Sequence, residues 1–177
     1  MTYTYYYKAP LGPLRLTSNG HGLTGIWFEK PLGTNRYAAV ENQKATLLIF
    51  EETKAWLDLY FSGQEPSFLP LLEIDTTPFR KRVWEILSTI PYGEMVTYGD
   101  IAKALSKEHP HKKMSAQAVG GAVGHNAFSI VIPCHRVIGQ HGNLTGFGGG
   151  LAWKCYLLER EGIDVSTLHY PKKKTHQ

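Results

Sequence analysis

One cysteine stands where its thiol could become a nucleophile. Cys134 follows a β-branched apolar run, is preceded by Pro133 and is followed by His135 and Arg136. Only the thiolate of a cysteine attacks carbon well, and neighbouring positive charge lowers the pKa of the thiol. A structural cysteine usually lies among apolar neighbours instead. We therefore interpret Cys134 as a nucleophile.

Two other residues could handle the proton of this thiol. His135 is the natural acceptor, but adjacent residues of an extended segment point to opposite sides, so a water bridge or a turn is required. Glu161 falls in the last turn of a predicted helix, just before Gly162, where the helix dipole disfavours an anion. Either it is a solvated surface acid, or it holds His135 in the tautomer that accepts a proton.

Four further polar positions have less specific signals. Asn126 could brace a turn next to the cysteine segment, or be an ordinary turn asparagine. Cys155 shares a helical face with leucines and is predicted to pack in the core. His109 and His111 have no further ligands nearby, and the two cysteines are not closely spaced. We therefore expect neither a metal site nor a disulfide.

The first part of the chain predicts a small antiparallel sheet with one helix. Alternating segments within the first 30 residues are separated by turn residues, Gly12-Pro13 and then Ser18 to Gly22. Apolar residues at helical spacing predict a helix within residues 40–61, and residues 62–76 resemble a linker. The predicted first domain is 1–76.

The second part, 77–177, predicts several helices. Residues 78–90 have an amphipathic pattern after Thr77, and Thr97 with Asp100 has capping-box spacing at the start of another helix. The polar loop 106–114 then precedes a helix of small residues, so the order is that of a helix-turn-helix. Its Ala118, Gly120, Gly121 and Ala122 permit either tight helix packing or close approach to DNA. A glycine-rich segment, 139–150, and a helix over 151–161 follow.

The net charge of +4 is unevenly distributed. Residues 76–177 carry 13 Lys and Arg against 7 Asp and Glu, and seven of the eight histidines. This asymmetry favours a polyanionic partner, although Lys172, Lys173 and Lys174 supply half of the excess and resemble a solvated tail. The sequence has neither a signal peptide nor a membrane-spanning run, and a reactive thiol suits the cytoplasm.

From about Thr77 to Gly162 the chain closely resembles the 6-O-alkylguanine-DNA alkyltransferases. The motifs that carry the resemblance are Pro133-Cys134-His135-Arg136, Gly120-Gly121-Ala122, Asn126, Gly149-Gly150-Leu151-Ala152 and Glu161-Gly162. The resemblance implies an α/β fold of the α+β type. A small ribonuclease-H-like domain of antiparallel sheet and helix would precede a mainly helical domain with a winged-helix-like helix-turn-helix.

The resemblance also implies an activity and a role for each site residue. The protein would bind double-stranded DNA as a monomer, flip an alkylated guanine out of the stack and transfer its alkyl group irreversibly to Cys134, without a cofactor. Alkylated thymine is a second candidate substrate. His135 would take the thiol proton through water, Glu161 would orient His135, and Asn126 would brace the turn. The residues expected to contact DNA or substrate are Tyr98, Gln117, Ala118, Gly120, Arg136, Val137 and Gly148.

Three positions depart from the family pattern. Gln117 stands where many members have an arginine that fills the gap left by the flipped base. Ala127 replaces a usual proline, and Gly148 replaces a serine found in some members. These departures concern the strength of binding more than the chemistry.

Two alternative functions belong to other classes. A module could recognise alkylated DNA without repairing it, as in relatives that have tryptophan in place of the cysteine, but Cys134 is retained here. A Cys-His hydrolase would need an oxyanion hole and multiple turnover. The glycine-rich segment and the helix-turn-helix pattern require neither.

Overall fold

The structure is a computed structural model that describes residues 1–30 and 47–172. It divides into two compact units. The first comprises Met1–Thr77 with Ala127–Ile132, and the second comprises Pro78–Asn126 with Pro133–Gln177. The sequence predicts two continuous domains, 1–76 and 77–177, whereas here a short segment from the middle of the second range belongs to the first unit.

The first unit contains a three-stranded antiparallel sheet. Its strands are β1 (Tyr3–Ala9), β2 (Gly12–Ser18) and β3 (Leu23–Phe28), with β2 in the centre. Leu16 of β2 lies opposite Tyr5 on one side and Ile26 on the other. The outer edge of β3 is also paired, because the Ile26 amide donates to the Ala127 carbonyl at 2.8 Å. This hydrogen bond explains why Ala127–Ile132 groups with the sheet.

One helix, α1 (Leu48–Phe61), belongs with this sheet. Its buried residues recur at helical spacing, as predicted, and include Phe50, Trp56, Leu57 and Tyr60. The Tyr7 hydroxyl of β1 donates to Asp58 at 2.6 Å and the Tyr5 and Phe50 rings are 5.6 Å apart. The predicted helix was longer at its start, and residues 40–46 lie outside the described part of the chain.

The second unit is mainly helical, with α2 (Pro78–Leu87), α3 (Tyr98–Glu108), α4 (Ala116–Gly124) and α5 (Leu151–Arg160). The first of these ends three residues before the predicted Ile90. The Ser88 hydroxyl donates to the Trp84 carbonyl at 2.9 Å and the Thr89 hydroxyl to the Ile86 carbonyl at 2.6 Å. Such side-chain bonds compete with helix continuation, so the chain turns out of the helix here.

Local capping signals fix where α3 and α4 begin. The Thr97 hydroxyl accepts from the Asp100 amide at 3.0 Å, and the Asp100 carboxylate accepts from the Thr97 amide at 2.9 Å. This is the capping box that the sequence predicts. Ser115 caps α4 by accepting from the Ala118 amide at 3.1 Å.

A two-stranded parallel ladder brings the start of α3 to the cysteine segment. Strands β4 (Val96–Thr97) and β5 (Val137–Ile138) pair so that Val96 lies opposite Val137. Tyr98 follows β4 directly, and Cys134 precedes β5 by three residues. These two side chains, far apart in sequence, are therefore held in the same region of the unit.

The chain after α5 runs back along the glycine-rich segment. The Leu144 amide donates to the His169 carbonyl, and the His169 amide donates to the Gly142 carbonyl, both at 2.9 Å. The architecture confirms the predicted mixed α/β class, with a small antiparallel sheet and a helical C-terminal part. Within residues 1–30 and 47–172, no helix is both long and apolar enough to cross a membrane.

Candidate active site

Cys134 begins a single 3₁₀ turn, Cys134–Arg136, that leads into β5. The Arg136 amide donates to the Pro133 carbonyl at 3.1 Å and closes this turn. Of the two arrangements that the sequence left open, a turn is therefore present. The Cys134 side chain is buried, with 7% of its surface exposed. A buried thiol reacts only with a group that enters its pocket.

His135 and Glu161 form a buried pair. The His135 ring has no exposed surface, and its Nε2 hydrogen-bonds with a carboxylate oxygen of Glu161. The structure thus brings together the two residues that the sequence paired. Burial lowers the pKa of His135 more than its interaction with Glu161 raises it, so the imidazole is neutral at pH 7.

Glu161 lies where the sequence predicts, at the C-cap of α5 before Gly162, whose φ is +88°. The Ile163 amide donates to the Leu158 carbonyl at 3.0 Å, and the Gly162 amide to the Glu159 carbonyl at 3.0 Å. These are the two hydrogen bonds of a Schellman motif. The motif pairs the Leu158 and Glu159 carbonyls with amides at the helix end.

Donors from His135, Arg136 and Gly93 hold this carboxylate. Besides His135, the Arg136 Nε donates to Glu161 Oε1 at 2.7 Å and the Gly93 amide donates to the same oxygen at 3.0 Å. Burial alone would raise the pKa of Glu161, but His135 and Arg136 outweigh it and lower the pKa to about 2. Glu161 is therefore an anion at every physiological pH.

Arg136, predicted to contact DNA or substrate, makes its described hydrogen bonds inside the unit. Beyond Glu161, its Nη1 donates to the Ile90 carbonyl at 2.6 Å, and the guanidinium lies 5.7 Å from the centre of the Tyr92 ring. The Tyr92 hydroxyl in turn donates to the Arg160 carbonyl at 3.1 Å. These contacts tie the turn after α2 to the end of α5, around the carboxylate.

Asn126 and Lys154 act on the thiol. Asn126 is buried just beyond α4, and its side chain hydrogen-bonds to Cys134. Burial raises the pKa of Cys134, while the hydrogen bond from Asn126 and the charge of Lys154 lower it. The balance leaves the thiol pKa raised, so the thiol is mostly protonated at neutral pH and needs a group that takes its proton.

The remaining predicted residues lie on α3, α4 and the loop before α5. The half-buried Tyr98 hydroxyl is 3.2 Å from the Thr145 hydroxyl, and burial raises the pKa of Tyr98. Gln117 and Ala118 are exposed on α4, Gly148 is exposed in the loop, and the buried Val137 accepts from Lys154 through its carbonyl. An added Cβ at Gly120 would lie 3.8 Å from the Tyr98 ring.

Helix α4 has one packed face and one open face. Val119, Ala122 and Val123 are buried, and the Trp84 Nε1 donates to the Ala122 carbonyl at 2.9 Å. A Cβ added at Gly121 or Gly124 would meet no atom within 4 Å. Of these small residues, Ala122 therefore packs inside the unit, whereas Gly121 faces open space and its close approach to DNA stays a prediction.

Lys154 is a residue of this site that the sequence analysis did not identify. A lysine on the same face of α5 as Leu157 and Leu158, both fully buried, was the available signal. Cys155 next to it is only half-buried, and its thiol hydrogen-bonds with the exposed Tyr170, so the predicted core position is only partly correct. In the described ranges, no group of three or more His, Cys, Asp and Glu could hold a metal ion.

Fold and site together define a class: a two-unit α/β protein whose buried Cys134 shares a unit with two successive helices, α3 and α4, in helix-turn-helix order. Two family models cover most of the chain. The ribonuclease-like domain of 6-O-methylguanine DNA methyltransferase matches residues 1–75, and the DNA binding domain of the same family matches residues 78–163. The chain belongs to the 6-O-methylguanine DNA methyltransferase family, and its enzyme class is methylated-DNA–protein-cysteine methyltransferase.

Individual relatives agree over nearly the whole length. A methylated-DNA–protein-cysteine methyltransferase of Haemophilus influenzae is 38% identical over 164 residues, which are 91% of this chain and 87% of the relative. The crystal structure of Mycobacterium tuberculosis O6-methylguanine methyltransferase has a TM-score of 0.74 at 37% identity, covering 91% of this chain and 93% of that one. The crystal structure of the M. tuberculosis protein in complex with DNA has a TM-score of 0.72 at 37% identity, covering 93% of this chain and 94% of that one.

Proposed function

We propose that this protein repairs DNA by transferring one methyl or larger alkyl group from the 6-oxygen of guanine to the sulfur of Cys134. The observation that carries the proposal is the arrangement around the buried thiol. Asn126 and Lys154 act on the sulfur, and a neutral His135 backed by the Glu161 anion follows it in the same turn. This arrangement prepares a thiol for one displacement at carbon.

The thiol proton goes to His135. Because Nε2 of the neutral ring donates to the Glu161 carboxylate, Nδ1 carries the lone pair that can accept a proton. By the family resemblance, a water molecule relays this proton from Cys134. The imidazolium that forms is stabilised by the adjacent Glu161 anion.

The freed electron pair on sulfur forms the new S–C bond. As this bond forms, the bond between the alkyl carbon and the guanine oxygen breaks, and its electron pair remains on the guanine. The leaving guanine must gain a proton, and Tyr98 is the proposed donor, because its raised pKa keeps the phenol protonated at pH 7. A thioether resists hydrolysis, so each molecule reacts once and needs no cofactor.

The base must leave the DNA stack to reach this sulfur. Its reacting atom is enclosed in duplex DNA, and Cys134 is buried in the protein. The open face of α4 lets a helix backbone approach double-stranded DNA closely, with Gln117 and Ala118 exposed on it. We assign Gln117 to the space left by the flipped base. The protein is proposed to act as a monomer.

The loop before α5 bears on which alkyl groups are accepted. Gly148 is exposed, and an added Cβ there would meet no atom within 4 Å. Where some members have serine, this loop therefore leaves space, which favours acceptance of groups larger than methyl. Thymine alkylated at its 4-oxygen offers the same type of leaving group, so it is proposed as a second, smaller substrate.

The test is the intact mass of the protein after mixing with a duplex that contains 6-O-methylguanine. We expect a gain of one CH₂ unit on every active molecule, located on Cys134 by peptide mapping, and no second addition. The chain offers a matched control, because Cys155 is its only other cysteine. Cys155→Ser should still gain the mass, and Cys134→Ser should not.

Two other outcomes would favour the rival functions. Binding of the modified duplex with no change in protein mass would contradict the proposal and indicate a recognition module. Multiple turnover of an ester or peptide that depends on Cys134 would indicate a hydrolase instead.

A further inference from the structure

The ammonium of Lys154 is buried without an anionic side chain bonded to it. None of its surface is exposed, and within the described ranges no carboxylate lies at ion-pair distance. A buried lysine normally requires a paired carboxylate, because desolvation of a charge is costly. Its position therefore needs a specific explanation.

Backbone carbonyls from two segments hold this ammonium. Lys154 Nζ donates to the Val137 carbonyl at 2.7 Å and to the Leu144 carbonyl at 2.6 Å. Val137 directly follows the turn that contains Cys134, and Leu144 lies in the loop before α5. One ammonium therefore joins the catalytic turn to this loop.

The third contact leads towards Tyr98. Lys154 Nζ is 3.5 Å from the Thr145 hydroxyl, and this hydroxyl is 3.2 Å from the Tyr98 hydroxyl. Thr145 has a φ of +61°, which is unfavourable for a β-branched residue and persists only where its surroundings hold it. Its hydrogen bonds to Lys154, Tyr98 and the Leu144 carbonyl supply that restraint.

The titratable groups that face the ammonium come from several elements. Cys134 lies on the catalytic turn, Cys155 is the next residue of α5, and Tyr98 is reached through Thr145. Burial lowers the pKa of Lys154 to about 8, and both cysteines act against that decrease. Lys154 also acts on its neighbours: its positive charge lowers the pKa of Cys134 and that of His135.

We propose that Lys154 is a positioning residue for the alkyl transfer, whose buried ammonium both supplies the counter-charge for the Cys134 thiolate and fastens the loop at Leu144 and Thr145 to the catalytic turn. The inference rests on the proposed function for its effect on transfer. The counter-charge part concerns the thiol alone, and it can be measured without DNA.

The first measurement is therefore the reactivity of Cys134 towards iodoacetamide, followed by peptide mass spectrometry from about pH 6 to about pH 10. Lys154→Met removes the charge and keeps an unbranched chain. We expect its alkylation rate near pH 7, where the Lys154 ammonium of the parent is still charged, to fall about tenfold, as a rise of about one unit in the pKa of the thiol would require. Lys154→Arg keeps the charge, and its alkylation rate near pH 7 should stay closer to that of the parent. Lys54→Met, on the exposed surface of α1, is the control, and its rate should equal that of the parent.

The second measurement is the single-turnover rate with a duplex that contains 6-O-methylguanine. Lys154→Met should be slowed at least as much as its thiolate fraction falls, with unchanged DNA affinity. Thr145→Val keeps the charge of Lys154 and removes the Thr145 hydroxyl, so it should slow transfer without changing the rate of alkylation by iodoacetamide near pH 7.

The outcomes separate the two proposals. If the parent transfers no alkyl group while Lys154→Met still slows alkylation of Cys134 near pH 7, the proposed function fails and the counter-charge role of Lys154 stands. If the parent transfers normally and Lys154→Met matches it in both the alkylation rate near pH 7 and the transfer rate, the inference about Lys154 is overturned. If Lys154→Met does not fold, Lys154→Gln removes the same charge with a polar side chain, and Thr145→Val tests the loop contact separately.

Discussion

A single carboxylate organises the polar side of the site. Glu161 accepts from the His135 ring, from Arg136 and from the Gly93 amide, which come from two separate segments. Because an anion that satisfies several donors is stabilised even when buried, this cluster holds the turn Cys134–Arg136, and under the proposed function it also orients His135. Function and stability should therefore respond together to any change at Glu161.

Glu161→Gln should destabilise the protein and change its response to acid. The folded pKa of Glu161, about 2, lies below the usual value for glutamate, so its stabilising contribution is complete above roughly pH 4.3 and is lost as the pH falls towards 2. Removing one partner of a buried ion pair costs about 3 kcal/mol or more. Urea unfolding at pH 7 should show this loss, and the difference from the parent should shrink as the pH falls through that window.

The control for this substitution lies two residues away. Glu159 is exposed on the same helix, so Glu159→Gln should leave the unfolding free energy within about 0.5 kcal/mol of the parent at each pH. A Glu161→Gln protein that is as stable as the parent at pH 7 would show that the cluster does not depend on the anion.

At the scale of elements, the sequence predicted the features that depend on residues close together in the chain, such as the starts of helices. The capping box of Thr97 and Asp100 is formed by neighbours three residues apart, so it was visible in the pattern. The burial of Lys154 was not, because its acceptors lie 10 and 17 residues earlier, on segments whose folding the pattern does not specify. The two-residue ladder that brings Tyr98 towards Cys134 is too short to give a periodic signal.

In the candidate site, too, features set by neighbouring residues could be predicted and features set by distant segments could not. Glu161 could be paired with His135 because its place at a helix end was anomalous for an acid. The direction of Arg136 could not be foreseen, since its partners at Ile90 and Tyr92 come from a turn far upstream. Predicted roles that depend on bound DNA, such as those of Gln117 and Gly148, stay predictions.

Helix α4 gives the prediction that belongs to an element. Gln117 is exposed near its start, beside the open face, and is neutral where many relatives have arginine. Hydrogen bonds to charged groups contribute about 1 kcal/mol more than neutral ones, so Gln117→Arg should tighten binding to duplex DNA about fivefold. Fluorescence anisotropy measures this dissociation constant. Gln117→Ala is the matched control, because it removes the side-chain amide and should weaken binding. Equal or weaker binding by the arginine variant would exclude the role assigned to this position.

At the scale of the whole molecule, charge is segregated along the chain. The net balance over residues 76–177 is positive, and over residues 1–75 there are 6 basic against 8 acidic residues. Lys112 and Lys113 are exposed in the connection between α3 and α4, the two helices of the helix-turn-helix. A duplex bound there would neutralise its phosphates with these side chains and release counterions.

This segregation predicts how DNA affinity depends on salt. Each lysine that neutralises a phosphate contributes about 0.9 to the slope of log affinity against log salt, so replacing Lys112 and Lys113 with glutamine should reduce the magnitude of that slope by roughly 1.8. The matched double variant, Lys8→Gln with Lys54→Gln, removes two exposed charges from the first unit and should leave the slope unchanged. Titrations at several salt concentrations on an unmodified duplex measure both. Equal slopes for the two double variants would mean that binding follows net charge alone, and a larger decrease in the control would assign the DNA surface to the first unit.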